Sequence, residues 1–160
     1  MKIKLLAMDV DGTLTDGHIY MGAEGEVFKA FDVKDGYAIV NLLPLLQVIP
    51  VIITGRSSEI VEHRAAELRI TELYQGVGNK LEKLKEIASK CGISESEIAY
   101  IGDDLNDIPC IHYAVFSGCP CDAVEEVKKS VNYVCGSKAG QGAVREFIEE
   151  IMKKNEMMLN

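Results

Sequence analysis

The chain of 160 residues has no tryptophan and few aromatic residues, and it is short of positive charge. Its 17 Lys and Arg residues stand against 25 Asp and Glu, which gives a net charge of −8. A protein that binds a nucleic-acid backbone needs a basic face, so this balance argues against a nucleic-acid partner. It allows a small anionic substrate, because a local basic pocket can form in an acidic protein.

Long apolar runs and paired cysteine motifs are also missing. The apolar run after Lys4 is interrupted by Asp9 and is too short for a signal peptide. No segment reaches the length of a membrane span. We therefore expect a cytoplasmic protein with no membrane partner and with reduced thiols. The five cysteines form no paired Cys-x-x-Cys pattern. Cys119-Pro120-Cys121 could touch a soft metal, although ordinary loop or core thiols are the better explanation.

Short apolar runs rich in β-branched residues alternate with amphipathic stretches. Apolar residues at strand-like spacing mark 3–10, 48–54, 98–101 and 114–118, with shorter candidates at 73–74 and 133–134. Helical spacing marks 57–68, 79–91, 143–154, and a segment at 35–46 that contains Pro44. This alternation predicts an α/β fold, a doubly wound parallel sheet, in a single domain over residues 1–160.

Residues 17–31 depart from this rhythm. They alternate with a period near two on each side of Gly22–Gly25, which predicts a β-hairpin. The segment follows the first strand directly. We therefore expect a small hairpin flap that projects over the carboxyl end of that strand.

Polar side chains follow several of the predicted strands. Ligands bind beyond the carboxyl ends of the strands in parallel α/β sheets, so these residues are the candidate site. The strand ends and the helix start at Lys80 together supply carboxylates, a hydroxyl and two cations: Asp9, Asp11, Thr54, Arg56, Lys80, Asp103, Asp104 and Asp107.

Crowded carboxylates repel one another, and a bound cation is the usual relief. Oxygen ligands suit Mg²⁺, which commonly shares a substrate phosphate with the protein. Thr54 and Lys80 could then bind phosphoryl oxygens. The sequence therefore predicts a magnesium and phosphate site.

The motifs resemble those of haloacid dehalogenase superfamily phosphohydrolases over nearly the whole chain. The matching features are Asp-x-Asp-Gly-Thr from Asp9, Thr54 after the second strand, Lys80, and Gly-Asp-Asp-x-x-Asp from Gly102. "ITGR" at 53–56, "YIGDDLND" at 100–107 and "GQGAVREF" at 140–147 resemble the capless subgroup. The segment between Asp11 and Thr54 is filled by the hairpin, a helix and a strand, which agrees with the absence of a large cap domain.

The resemblance implies a Mg²⁺-dependent phosphomonoesterase that works through an aspartyl-phosphate. Asp9 would be the nucleophile, and Asp11 the general acid and then the general base. Mg²⁺ would be held by the carboxylates of Asp9 and Asp103 and by the backbone carbonyl of Asp11. Thr54, Gly55 and Lys80 would bind the phosphate or the substrate. Asp104 and Asp107 would orient Lys80 and the metal waters.

The resembled subgroup hydrolyses phosphates of keto-sugar acids and forms homotetramers in which the hairpins pack together and a neighbouring chain completes each pocket. Arg56 favours 3-deoxy-D-manno-octulosonate 8-phosphate, because the enzymes for nonulosonate 9-phosphates have Glu at that place. Gln141 stands where the octulosonate enzymes commonly have a basic residue, so the nonulosonate alternative stays open. Arg64 is a second candidate for the substrate carboxylate, and a solvated or ion-paired helix residue is an equal alternative.

Two other classes compete with this interpretation. A signalling receiver domain also has an acidic Mg²⁺ pocket with a Thr and a Lys, but its phosphorylated Asp follows the third strand. A non-catalytic relative would usually lack the nucleophile or the proton carrier, and both Asp9 and Asp11 are present. Fold and motifs alone do not establish activity.

Overall fold

Eight strands are present among residues 2–156, the part of the chain that the computed structural model describes. They are β1 (Leu5–Met8), β2 (Tyr20–Gly22), β3 (Gly25–Phe28), β4 (Ile49–Ile53), β5 (Glu72–Tyr74), β6 (Ile98–Ile101), β7 (Phe116–Cys119) and β8 (Tyr133–Val134). Six of them form a parallel sheet in the order β5-β4-β1-β6-β7-β8. The central position of β1 between β4 and β6 brings the residues after these three strands to neighbouring places.

The helices lie between the strands as predicted, with two short additions. They are α1 (Val33–Tyr37), α2 (Leu43–Leu46), α3 (Glu59–Glu67), α4 (Lys80–Cys91), α5 (Ile108–Tyr113), α6 (Glu125–Ser130) and α7 (Ala143–Glu156). The side chains of Ser58 and Asn79 cap α3 and α4, so each helix begins one residue after its cap. Helices α5 and α6 have six residues each, too few to show a periodic apolar pattern.

The predicted helix at 35–46 is interrupted. A π-helical turn over Ala38–Leu42 joins α1 to α2, and Pro44 lies in the first turn of α2. Proline has no N–H to continue the helical ladder, so the wider turn before it is a local adjustment to Pro44. The Asp32 side chain caps α1 by accepting from the N–H groups of Lys34 and Asp35, and the helix therefore begins earlier than the apolar spacing indicates.

Helices cover both faces of the sheet. Along β1, Leu6 and Met8 point into one core together with Phe147 and Ile148 of α7. Leu5 and Ala7 point into the other core, which contains buried residues of α4 and α5. Alternate residues of β1 thus enter opposite cores, which confirms the doubly wound arrangement.

The hairpin is formed by β2 and β3, which pair antiparallel around Gly22 and Gly25. The rings of Tyr20 and Phe28 stack across it with centroids 4.3 Å apart. Its base is closed by a bridge between Thr15 and Phe31. Between β1 and β4 the chain forms only this hairpin and the α1–α2 segment, so the predicted flap replaces a large cap.

None of the helices among residues 2–156 is long and apolar enough to cross a membrane. The sequence predicts a frayed, solvated end over residues 153–160; α7 continues to Glu156, and residues 157–160 lie outside the described residues.

Candidate active site

The ends of β1, β4 and β6 meet around a cavity of about 160 Å³ at the carboxyl edge of the sheet. Asp9 follows β1, Thr54 follows β4, and Asp103 lies two residues after β6. The cavity is lined by Asp9, Asp11, Thr54, Gly55, Arg56, Asp103, Asp104 and Asn106. The structure therefore brings together seven of the candidate site residues, and Asn106 joins them.

Lys80 lies beneath the cavity, between two carboxylates. Its Nζ is 3.0 Å from Oδ1 of Asp9 and donates to Oδ1 of Asp107 at 2.7 Å. The residue is 4% exposed. Burial alone would lower the pKa of Lys80, but the charges of Asp9 and Asp107 outweigh burial and raise it. Lys80 is thus a fixed cation below Asp9.

Asp107 anchors this arrangement. Its carboxylate accepts from Lys80 and, at 2.6 Å, from the hydroxyl of Tyr100, and it also accepts from the backbone N–H groups of Asp103 (2.9 Å) and Asp104 (3.2 Å). With these four donors its oxygens are engaged, so Asp107 is better suited to orienting its neighbours than to binding a metal. This contact pattern supports the orienting role predicted for Asp107.

Asp9 and Asp103 supply the donor set for a divalent cation. Side-chain oxygens of Asp9, Asp103 and Asp107 lie within 4.8 Å of one another. Burial, reinforced by the charge of Asp107, raises the pKa of Asp9 to about 6. Burial, followed by the charges of Asp9 and Asp107, raises the pKa of Asp103 to about 8. Such crowding fits a hard cation with oxygen ligands, and the backbone carbonyl of Asp11 stays a predicted ligand.

Within residues 2–156 this acidic cluster is the one group of three His, Cys, Asp or Glu side chains close enough to share an ion. The soft-metal alternative for Cys119 and Cys121 therefore gains no support.

Two glycines allow the carboxylates to pack this closely. Gly12 has φ +84°, and a Cβ there would lie 2.1 Å from Oδ2 of Asp103. A Cβ on Gly102 would lie 2.4 Å from the carboxyl carbon of Asp107. The glycine in each acidic motif is therefore required by the close approach of a carboxylate, and Gly12 is also required by its positive φ.

Two residues of the site were missed by sequence reasoning. Tyr100 has the pattern of a core strand residue, and nothing in the sequence marks its hydroxyl as a partner of Asp107. Lys29 comes from the hairpin, and its Nζ contacts Oδ1 of Asp11 at 2.7 Å. A lysine just after the hairpin, where the chain returns toward the acidic motif, was the available signal, but its contact with Asp11 depends on the register of the hairpin.

Arg64 does not line the acidic cavity, so the structure does not bring it together with Arg56. It lies on α3, its Nη1 donates to Glu67 at 2.9 Å, and its guanidinium lies 5.4 Å from the centre of the Phe31 ring. It lines a separate cavity between the hairpin and α3. The separation arises because Arg56 stays in the loop after β4 while Arg64 is carried along the helix.

Fold and site define a hydrolase class. The model of the haloacid dehalogenase-like hydrolase family matches residues 52–148, and the chain belongs to this family. The 3-deoxy-D-manno-octulosonate 8-phosphate phosphatase of Escherichia coli K12 is 43% identical over 150 residues, which cover 94% of this chain and 79% of that protein.

Solved structures of similar proteins have the same fold. The structure of the Moraxella catarrhalis 3-deoxy-D-manno-octulosonate 8-phosphate phosphatase, in complex with magnesium, phosphate and KDO, matches with a TM-score of 0.91 and 41% identity, covering 99% of this chain and 92% of that one. The cobalt-bound Haemophilus influenzae enzyme matches with a TM-score of 0.92 and 33% identity, covering 97% of this chain and 90% of that one.

Proposed function

We propose that this protein is a Mg²⁺-dependent phosphomonoesterase that hydrolyses 3-deoxy-D-manno-octulosonate 8-phosphate through an aspartyl-phosphate on Asp9. The observation that carries the proposal is the contact of buried Lys80 with Asp9 beneath a cavity lined by Thr54 and Asp103. It supports the proposal because a carboxylate, a fixed cation and a hydroxyl then lie together where a phosphoryl group can enter. The high identity to phosphatases of this specificity supports the same substrate.

In the first step an oxygen of Asp9 attacks phosphorus, and the bond from phosphorus to the sugar oxygen breaks. Asp11 gives its proton to the leaving alkoxide, so the leaving oxygen of the sugar acid becomes a neutral hydroxyl group. In the second step Asp11 takes a proton from water, whose oxygen attacks phosphorus and releases phosphate and free Asp9. Asp11 lies in the turn after β1, two residues beyond Asp9, and both residues line the cavity.

Asp9 and Asp103 would hold Mg²⁺ together with the backbone carbonyl of Asp11. When bound, the ion neutralises charge on the phosphoryl oxygens and between the carboxylates. Lys80 and Thr54 bind phosphoryl oxygens from the protein side, and Asp107 keeps Lys80 in place. Gly55 gives the loop after β4 a backbone without a side chain beside the cavity, and Asp104 starts the turn that carries Asp107.

Arg56 is the residue we assign to the substrate carboxylate. Its side chain is 47% exposed at the cavity, 3.5 Å from Glu26 of the hairpin. An exposed guanidinium can exchange this weak partner for a bidentate contact with a carboxylate. A nonulosonate 9-phosphate is the alternative substrate, since it carries the same carboxylate and phosphate groups.

We infer that the active form is a cytoplasmic homotetramer. The hairpin exposes apolar side chains, with Met21 63%, Val27 60% and Phe28 53% exposed, and these would be buried by a neighbouring copy. A hairpin of this size cannot exclude water from the cavity unaided. Light scattering after gel filtration should give four chains per particle, and a monomeric, fully active particle would contradict the inference.

The test of function is a panel of sugar phosphates, with and without Mg²⁺, on wild type and Asp9→Asn. We expect phosphate release to be fastest from the octulosonate ester, to stop in EDTA and to fall at least about 1,000-fold in Asp9→Asn. Higher kcat/KM for hexose phosphates would overturn the substrate assignment alone. Unchanged turnover in Asp9→Asn would overturn the mechanism.

A further inference from the structure

Lys29 is a buried cation that the reaction described above does not use. Its side chain is 1% exposed although the hairpin strand that precedes it is largely solvated. Its Nζ contacts Oδ1 of Asp11 at 2.7 Å and Oε2 of Glu26 at 3.1 Å. Burying an ammonium group is unfavourable unless it is paired, so the hairpin is folded so as to deliver this charge to Asp11.

The contact restricts the proton carrier. Asp11 lies in the loop after β1, and its side chain is 21% exposed. A carboxylic acid group that is free to rotate presents its proton in many directions. General acid catalysis needs that proton to be aligned with the leaving oxygen. An ammonium group at hydrogen-bond distance from Oδ1 leaves Oδ2 as the oxygen that is available to carry the proton.

We propose that Lys29 is a positioning residue that fixes Asp11 for proton transfer, and that the hairpin thereby takes part in catalysis within its own chain. This inference rests on the proposed phosphomonoesterase function. Glu26 extends the arrangement, because its Oε2 contacts both Lys29 and, at 3.5 Å, Arg56. The hairpin therefore links the proton carrier to the residue assigned to the substrate carboxylate.

The leaving group provides the test. An alkoxide needs a proton as it departs, whereas p-nitrophenolate departs without one. The parameter kcat/KM reports the steps up to phosphorylation of Asp9 and is insensitive to later hydrolysis of the intermediate. We therefore compare kcat/KM for p-nitrophenyl phosphate with that for the sugar phosphate on which wild type is most active.

In Lys29→Met, we expect kcat/KM to fall at least about 100-fold for the sugar phosphate and less than about 10-fold for p-nitrophenyl phosphate. Lys29→Arg keeps the charge and should recover part of the loss. Lys128→Met is the matched control, because Lys128 has an exposed partner in Glu125 at 2.9 Å and does not line the cavity. It should retain wild-type values for both substrates.

A purely structural role is distinguished by Lys29→Met/Glu26→Gln, which removes the cation together with Glu26, whose one remaining ion pair among the described residues would be the 3.5 Å contact with Arg56. If Lys29 only holds the hairpin in place, this double variant should regain activity; if Lys29 positions Asp11, it should stay as low as Lys29→Met. Equal losses on the two substrates, or recovery in the double variant, would overturn the inference and leave the proposed function intact. A wild-type protein that hydrolyses no phosphate ester overturns both.

Discussion

The two ends of the parallel sheet are stabilised in different ways. At the carboxyl edge, buried Asp9 and Asp107 share the buried cation of Lys80. At the amino edge, the buried amide of Asn155 on α7 accepts from the N–H of Ile3 at 2.8 Å and donates to its carbonyl at 3.1 Å. The buried charges at the carboxyl edge belong to the candidate active site, while the buried neutral amide at the amino edge joins α7 to the chain before β1.

The difference indicates where activity and stability should separate. Buried ion pairs contribute little net stability, yet removal of one partner leaves the other charge unpaired. Burying a neutral hydrogen-bonded group costs less free energy than burying a charge, and a neutral amide does not act as a nucleophile or proton carrier. Substitutions at the carboxyl edge should therefore affect turnover first, and substitutions at the amino edge should affect unfolding alone.

Lys80→Met should give the largest effect, because it removes the only contacting cation that the described residues provide to Asp9. We expect kcat/KM to fall about 100- to 1,000-fold and the free energy of unfolding to fall by about 3–5 kcal/mol without Mg²⁺. Phosphate release measures kcat/KM, and unfolding in urea measures the free energy of unfolding. Wild-type kcat/KM in a folded variant would show that Lys80 does not bind the phosphoryl group.

Gly12→Ala tests the close packing at the same edge. The added Cβ would lie 2.1 Å from Oδ2 of Asp103, so that carboxylate must move, and a shift of about 1 Å near the chemistry can cost about 100-fold in rate. Gly92→Ala is the control, since Gly92 has φ +66° and a Cβ added there would meet nothing within 4 Å. It should lose about 1 kcal/mol of stability and no activity; similar kinetics for the two variants would refute the packing argument.

Asn155→Ala tests the amino edge. It leaves the N–H and carbonyl of Ile3 without their side-chain partner, which should lower the free energy of unfolding by about 3 kcal/mol while kcat/KM at 25 °C stays unchanged. Asn41→Ala is matched to it, because Asn41 donates to the Tyr37 carbonyl at an exposed position, and it should change little. A loss of activity in folded Asn155→Ala would contradict the idea that the amino edge affects stability alone.

Much of the carboxyl edge could be predicted from the sequence, because parallel strands deliver their last residues to one edge. That rule grouped Asp9, Thr54 and Asp103 before any contact was known, although their catalytic roles remain predictions. The rule does not extend to side chains brought in by a hairpin or carried along a helix. Lys29 was therefore missed, and Arg64 lines a different cavity from Arg56, since hairpin register and helix direction are set by tertiary packing.

Asp35 sharpens the comparison, since it is a buried carboxylate near the carboxyl edge with no lysine beside it. It lies on α1, is 2% exposed, and its Oδ1 accepts from the N–H of Arg145 at 2.8 Å, while Oδ2 has no hydrogen-bond partner among the described residues. Burial raises its pKa to about 6, with Asp32 adding to the rise and Arg64 opposing it. The N–H of Arg145 and the charge of Arg64 offset its charge only in part, whereas Asp9 is in direct contact with the ammonium group of Lys80.

Because the pKa of Asp35 in the folded state exceeds its unfolded value of about 3.9, its contribution to stability is fully present below that value. The contribution is lost as the pH rises through about 6. Asparagine does not ionise, so the stability of Asp35→Asn relative to wild type should be higher at pH 7.5 than at pH 4.5. The gain should be no more than about 2 kcal/mol in the free energy of unfolding and should appear as a rise in Tm relative to wild type. Calorimetry at the two pH values measures the difference, to which titration of the other groups contributes equally in both proteins. A Tm difference that is the same at both pH values would mean that Asp35 ionises without penalty, and that a buried carboxylate in this fold needs no lysine.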